Sequence, residues 1–200
     1  EDSPQPTGVG DYWRNPQVKQ HTNCNGCKPP WSAFDQTISS YFHVVICTDG
    51  STFKPKPSGA AFVFVEDDIL EKDLWDVQGF YWTVEKSDNY LAEMAAIHKG
   101  IRSIPANVRM TIHTDSLSSK QAIESALRAP ERFKALRCAS RPYLLAITTA
   151  IEERTKLGAT TTLMHVRSHT GARDIASVGN AEADRLAKWE ASQLNPPNSS

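Results

Sequence analysis

The chain has 200 residues, 40% of them hydrophobic and 22% charged, with a formal net charge of −1. This is ordinary globular composition, sized for one domain with appendages, and the absence of any apolar run near eighteen residues excludes a membrane-spanning helix. Four cysteines are too few for a disulfide scaffold and point to a reducing, intracellular setting, while Glu1 reads as the start of a processed or excised piece.

The small net charge hides an asymmetry. Residues 1–100 hold 8 Lys/Arg against 14 Asp/Glu, a balance of −6; residues 101–200 hold 14 against 9, a balance of +5. Arg128, Arg132, Lys134, Arg137 and Arg141 cluster with only Glu131 opposing them. Such a cluster can meet phosphates, or it can be the solvated face of a helix.

Residues 1 to about 40 contain Pro4, Pro6, Pro16, Pro29 and Pro30 without periodicity, and read as an extended arm. Within the arm, His21, Cys24 and Cys27 have spacing that zinc could use, but the second pair of ligands for a tetrahedral site is missing. His43 to Cys47 is a short β-branched apolar run that ends near Asp49. Pro55, Pro57, Ser58 and Gly59 break the chain and Ala60 to Val65 resumes it, which predicts a hairpin. A third strand is expected within Trp75 to Val84, after an acidic turn from Glu66 to Asp73. Asn89 to Ile101 has helical spacing, with Glu93 placed in its first turn.

Val108 to Thr114 reads as a fourth strand that ends at Asp115, followed by a helix from Ser116 to Leu127. Pro142 is expected to separate a basic part from an apolar helix, Tyr143 to Lys156. Thr160 to Val166 is the fifth strand, Ser168 to Gly179 a loop, and Ala181 to Ser192 the last helix. The pattern is α/β with a five-stranded mixed sheet: three antiparallel strands, then two parallel ones, flanked by helices.

Four acids stand out. Asp49 and Asp115 follow apolar strands, Glu93 sits early in a helix, and Asp184 is expected in the first turn of the last helix, where the dipole favours an anion. Each alone has an ordinary explanation as a cap, a turn or a surface group. Together they could not all ionise without cations, and an oxygen-only ligand set suits Mg²⁺ or Mn²⁺. Two such ions form the clamp for in-line phosphoryl displacement.

The segments TDGS (Thr48 to Ser51), NYLAEMAAI (Asn89 to Ile97), HTDS (His113 to Ser116), and SHTG with GNAEADRLA (Ser168 to Gly171, Gly179 to Ala187) resemble the signature segments of type 1 ribonuclease H, including the ribonuclease H domains of reverse transcriptases. The resemblance runs in order from about His43 to Ser192. It implies a ribonuclease H-like domain over residues 41–193, after the arm of residues 1–40 and before a tail of residues 194–200. It further implies a Mg²⁺-dependent endonuclease that cuts the RNA strand of RNA–DNA hybrids and leaves a 5′-phosphate and a 3′-hydroxyl.

In that reading Asp49, Glu93, Asp115 and Asp184 hold two ions, with Asp49 bridging them and Mn²⁺ able to substitute. Glu93 also lies near a ribose 2′-hydroxyl, and His169 assists product release or proton movement. Gly50 and Ser51 approach the RNA, Asn89 and Ser116 contact substrate, and Arg132, Lys134 and Arg137 grip it electrostatically. The segment from Arg128 to Arg141 stands where the family's substrate-handling protrusion lies, but it has no tryptophan. The loop after His169 is longer than in short cellular enzymes and adds Asp174 as an extra acid. A different class of function uses the same features: a catalytically silent module, docked through arm and loop into a larger polypeptide or nucleoprotein assembly.

Overall fold

The computed structural model describes residues 19–22, 43–65, 78–104, 106–131, 139–168 and 174–193. The elements in chain order are β1 (Lys19–Thr22), β2 (His43–Ser51), β3 (Ser58–Val65), β4 (Gln78–Val84), α1 (Asn89–Ser103), β5 (Arg109–Thr114), α2 (Leu117–Arg128), α3 (Arg141–Lys156), β6 (Thr161–His165) and α4 (Ile175–Gln193). One sheet runs in the order β1-β4-β3-β2-β5-β6. β2, β3 and β4 pair antiparallel, while β2–β5 and β5–β6 pair parallel, which is the expected five-stranded mixed core. A sixth strand comes from the proline-rich arm: Lys19–Thr22 pairs antiparallel with β4 and lengthens the outer edge. His21 lies on this strand, whereas Cys24 and Cys27 fall outside the described residues.

Helices on opposite faces enclose the sheet. On one face Ile46, Phe62, Phe64, Phe80 and Trp82 meet Met94, Ile97 and Ile101 of α1 and Leu144, Ile147 and Ile151 of α3. Each such side chain contributes about 1.5–3 kcal/mol on leaving water. Phe62 stands 5.0 Å from Phe80 and 6.0 Å from Trp82, centroid to centroid, so the aromatic rings fill the centre of this layer. On the other face Val45, Cys47, Ala61 and Val63 lie under Ala183, Leu186 and Ala187 of α4. Small residues let that helix lie very low: a Cβ added at Gly59 would come within 2.2 Å of the Ala187 carbonyl oxygen.

Arg154 ties the layers together from a fully buried position. Its Nη1 donates to the Ile104 carbonyl at 3.0 Å, its Nε to Thr161 Oγ1 at 3.0 Å, and its Nη2 to the Val108 carbonyl. A buried guanidinium is tolerated because its donors reach acceptors in the loop before β5 and in β6.

Several boundaries differ from the local reading. β2 continues to Ser51, so Asp49 sits inside the strand opposite Ala61 and not after it. α3 begins at Arg141, two residues before the expected Tyr143, with Pro142 in its first turn, where a missing amide costs nothing. The last helix begins at Ile175, six residues before Ala181. Asp174 initiates it: the Ser177 amide and hydroxyl both donate to its carboxylate at 2.9 Å, which holds that carboxyl below its usual range. Asp174 is therefore a cap, and Asp184 lies in the third turn, beyond the reach of the helix N-terminus. Among the described residues no helix is long and apolar enough to cross a membrane.

Candidate active site

The acids converge because of strand order and one glycine. Parallel pairing sets Thr48 beside Thr114, so Asp49 and Asp115 emerge together from neighbouring strands at the same end of the sheet. Glu93 reaches them from α1, whose start is held by Asp88: the Asp88 carboxylate accepts from the Leu91 amide at 3.1 Å. Glu93 is the fifth residue of this helix and so lies in the second turn, not the first. Ser58 locks the helix entry to the hairpin, its buried hydroxyl donating to the Lys86 carbonyl at 2.7 Å and accepting from the Asp88 amide at 3.0 Å.

Gly50 permits the close approach. A Cβ there would come within 2.6 Å of the Ala92 carbonyl carbon and the Glu93 nitrogen, both backbone atoms that cannot step aside. Its hydrogen lets α1 settle against β2 and carry Glu93 to the strand carboxylates.

Asp49, Glu93 and Asp115 each place one carboxylate oxygen within 4.8 Å of the others. Asp49 is 2% exposed and Glu93 4%. Asp49 Oδ1 accepts from the Gly50 amide at 2.9 Å, while Asp49 Oδ2 and Glu93 Oε2 are buried with no hydrogen-bond partner. Burial first, then the Glu93 charge, drives the Asp49 pKa far up, with Asp115 and a side-chain contact from Asp184 adding to the effect. Burial likewise raises Glu93 and Asp115. Without a cation the cluster must hold protons, because three carboxylates this close cannot all stay charged.

The donor set fits a hard divalent ion: oxygen ligands only, with buried lone pairs unsatisfied by the protein. Asp184 borders Asp49 from α4 but also pairs with Lys188, whose Nζ lies 2.9 Å from its Oδ2.

The surrounding polar residues have their own placements. Asn89 is exposed at the first position of α1, and Ser51 is buried at the end of β2 opposite Gly59. Ser116 caps α2, its hydroxyl accepting from the Ser119 amide at 3.3 Å. His169, Arg132, Lys134 and Arg137 lie outside the described residues. Three residues escaped sequence reasoning. Asp88 had the signal of an acid just before a helical pattern, and Lys188 that of a basic residue four after Asp184. Ser87, with a buried and unpartnered hydroxyl beside the Asp88 cap, had none.

The family model for RNase H matches residues 42–192. The crystal structure of prototype foamy virus protease-reverse transcriptase superposes with a TM-score of 0.62 at 21% identity, covering 88% of this chain and 23% of that one. A foamy viral protease-reverse transcriptase in complex with RNA/DNA hybrid gives 0.60 at 16% identity, covering 86% and 22%. The solution structure of the PFV RNase H domain gives 0.59 at 18% identity, covering 78% and 99%. This chain thus spans under a quarter of the two protease-reverse transcriptases and nearly all of the isolated domain. No match was found among curated proteins. With the family's model running from the start of β2 through α4, over a sheet that gathers Asp49, Glu93 and Asp115, the chain belongs to the ribonuclease H family.

Proposed function

We infer that this ribonuclease H hydrolyses the RNA strand of RNA–DNA hybrids as a Mg²⁺-dependent endonuclease, leaving a 5′-phosphate and a 3′-hydroxyl. The observation that supports it most is the trio Asp49, Glu93 and Asp115, with an oxygen each within 4.8 Å of the others and two buried oxygens lacking any partner. Asp49, Glu93, Asp115 and Asp184 would hold two Mg²⁺, or Mn²⁺ in their place, with Asp49 shared because it lies among the other three. Bound there, the ions supply Lewis-acid activation of water and stabilise the charge that builds on the departing oxygen.

The protein's own groups do the rest. Gly50 and the cap at Asp88 set Glu93 at the cluster, and burial excludes the bulk water that would weaken charge–charge interactions there. Asn89 stands exposed at the start of α1, where its side chain can meet substrate. Arg132, Lys134 and Arg137 would add sequence-independent grip, and His169 would move a proton or speed product release. A foamy viral relative in complex with RNA/DNA hybrid supports the substrate class, and its larger protease-reverse transcriptase polypeptide supports a setting within a longer chain or assembly. We assign the catalytic unit to residues 41–193, the arm to 1–40 and the tail to 194–200.

The test is cleavage of a labelled RNA–DNA hybrid with Mg²⁺, beside single-stranded RNA, duplex DNA and a Glu93→Gln control. Cutting of the hybrid's RNA alone, reduced by at least about 100-fold in the control, is the expected result. A folded protein that leaves the hybrid intact in Mg²⁺ and in Mn²⁺ refutes the enzyme and favours a silent docking module.

A further inference from the structure

Three observations converge on Lys188. Its ammonium lies 2.9 Å from Asp184 Oδ2, one helical turn away on α4. Its side chain is 48% exposed while that of Asp184 is only 20% exposed, so the charge reaches inward from solvent to a recessed carboxylate. Asp184, meanwhile, contributes no oxygen to the tight group formed by Asp49, Glu93 and Asp115. The ammonium also feels the negative charge of Asp49 and Asp115, so it addresses the cluster as a whole and not one surface acid.

We propose that Lys188 is a resident counter-ion of the acid cluster, one that a divalent ion must displace from Asp184 before the fourth carboxylate can become a ligand. The proposal rests on the metal-binding reading of the cluster and adds a regulatory element to it. Electrostatics require the exchange. A carboxylate oxygen that receives an ammonium at hydrogen-bonding distance cannot also receive a divalent cation without setting like charges within a few ångströms of each other. Lys188 thereby keeps Asp184 neutralised while no metal is bound, and raises the metal concentration at which the set is completed. The lysine has a long flexible stem and half its surface in water, so it can swing away without disturbing the packing of α4.

The experiment is calorimetric titration of MgCl₂, at fixed ionic strength, into the wild-type chain and the Lys188→Met, Lys188→Arg and Asp184→Asn variants, and into the double variant carrying Lys188→Met and Asp184→Asn. An ion pair this exposed corresponds to a shift of about two- to five-fold. Lys188→Met should therefore bind Mg²⁺ about two- to five-fold more tightly and reach half-maximal hydrolysis at a correspondingly lower concentration. Lys188→Arg, which restores an Asp184 partner, should return to the wild-type affinity. With Asp184→Asn in place, removing the lysine should have a smaller effect, because only its longer-range attraction to Asp49 and Asp115 is left.

Equal or weaker binding by Lys188→Met overturns the proposal, as does an undiminished effect in the double variant. If the wild type binds Mg²⁺ and cuts the hybrid while Lys188→Met is indifferent, the counter-ion role alone fails. If no variant binds a divalent ion, the metal site itself falls, and this proposal with it.

Discussion

Replacing Asp49 by Asn should make the metal-free protein more stable while destroying its activity. Asp49 is 2% exposed, its Oδ2 has no partner, and its neighbours Glu93 and Asp115 are also acids. An amide at this place keeps an oxygen for the Gly50 amide, which now donates to Asp49 Oδ1 at 2.9 Å, and offers Glu93 a donor in place of a shared proton. Relief of one buried carboxyl oxygen left without a partner is worth about 1–3 kcal/mol, and in a chain of this size each kcal/mol moves Tm by about 2–4 °C. The expected gain is about 2–12 °C in EDTA at pH 8.

The pH dependence has a definite sign. Asp49, Glu93 and Asp115 all have folded-state pKa values raised by burial above those of the unfolded chain. As pH climbs from the ordinary carboxylate range toward those raised values, the unfolded chain has released protons that the folded one still holds, so wild-type stability falls. The advantage of the variant should therefore be larger at pH 8 than at pH 5. Mg²⁺ should raise the wild-type Tm and leave the variant almost unmoved. Scanning calorimetry at both pH values, with EDTA and with Mg²⁺, measures all of this. A variant that melts at or below the wild type in EDTA at pH 8 refutes the claim that the carboxylates strain the fold.

Two further substitutions separate positioning from scaffold. Gly50→Ala drives a methyl to within 2.6 Å of α1 backbone, so α1 must lift. We expect about 1–3 kcal/mol of destabilisation in urea melts, together with at least a tenfold loss of kcat as Glu93 leaves the cluster; wild-type turnover would mean that this contact does not set the site. Arg154→Met strands the acceptors of a buried guanidinium in the loop before β5 and in β6. It should cost about 3 kcal/mol in the same melts with kcat within twofold of wild type, and a loss of activity in fully folded protein would contradict that division of labour.

The elements themselves were legible because their causes are local. β-branched runs made β2, β5 and β6 readable, the proline and glycine break located the hairpin, and helical spacing located α1. Where the local signal was ambiguous the boundaries moved. Residues 175–180 include Gly179 and Ser177 and looked like loop, yet Asp174 caps them and α4 gains six residues. α3 opens at Arg141, two residues before the expected Tyr143, because proline fits in the first turn of a helix. The edge strand Lys19–Thr22 had no periodicity to show, because its order comes from the open side of β4.

By itself the sequence determined the fold class, the acids and their family, since strand and helix patterns and short motifs are properties of neighbouring residues. Only the tertiary structure decided that Asp49 lies within β2, that Gly50 exists for the approach of α1, and that Lys188 sits on Asp184. It also decided which oxygens are buried without partners. Burial, close approach and the sum of nearby charges are set by segments far apart in the chain, and no window of sequence contains them.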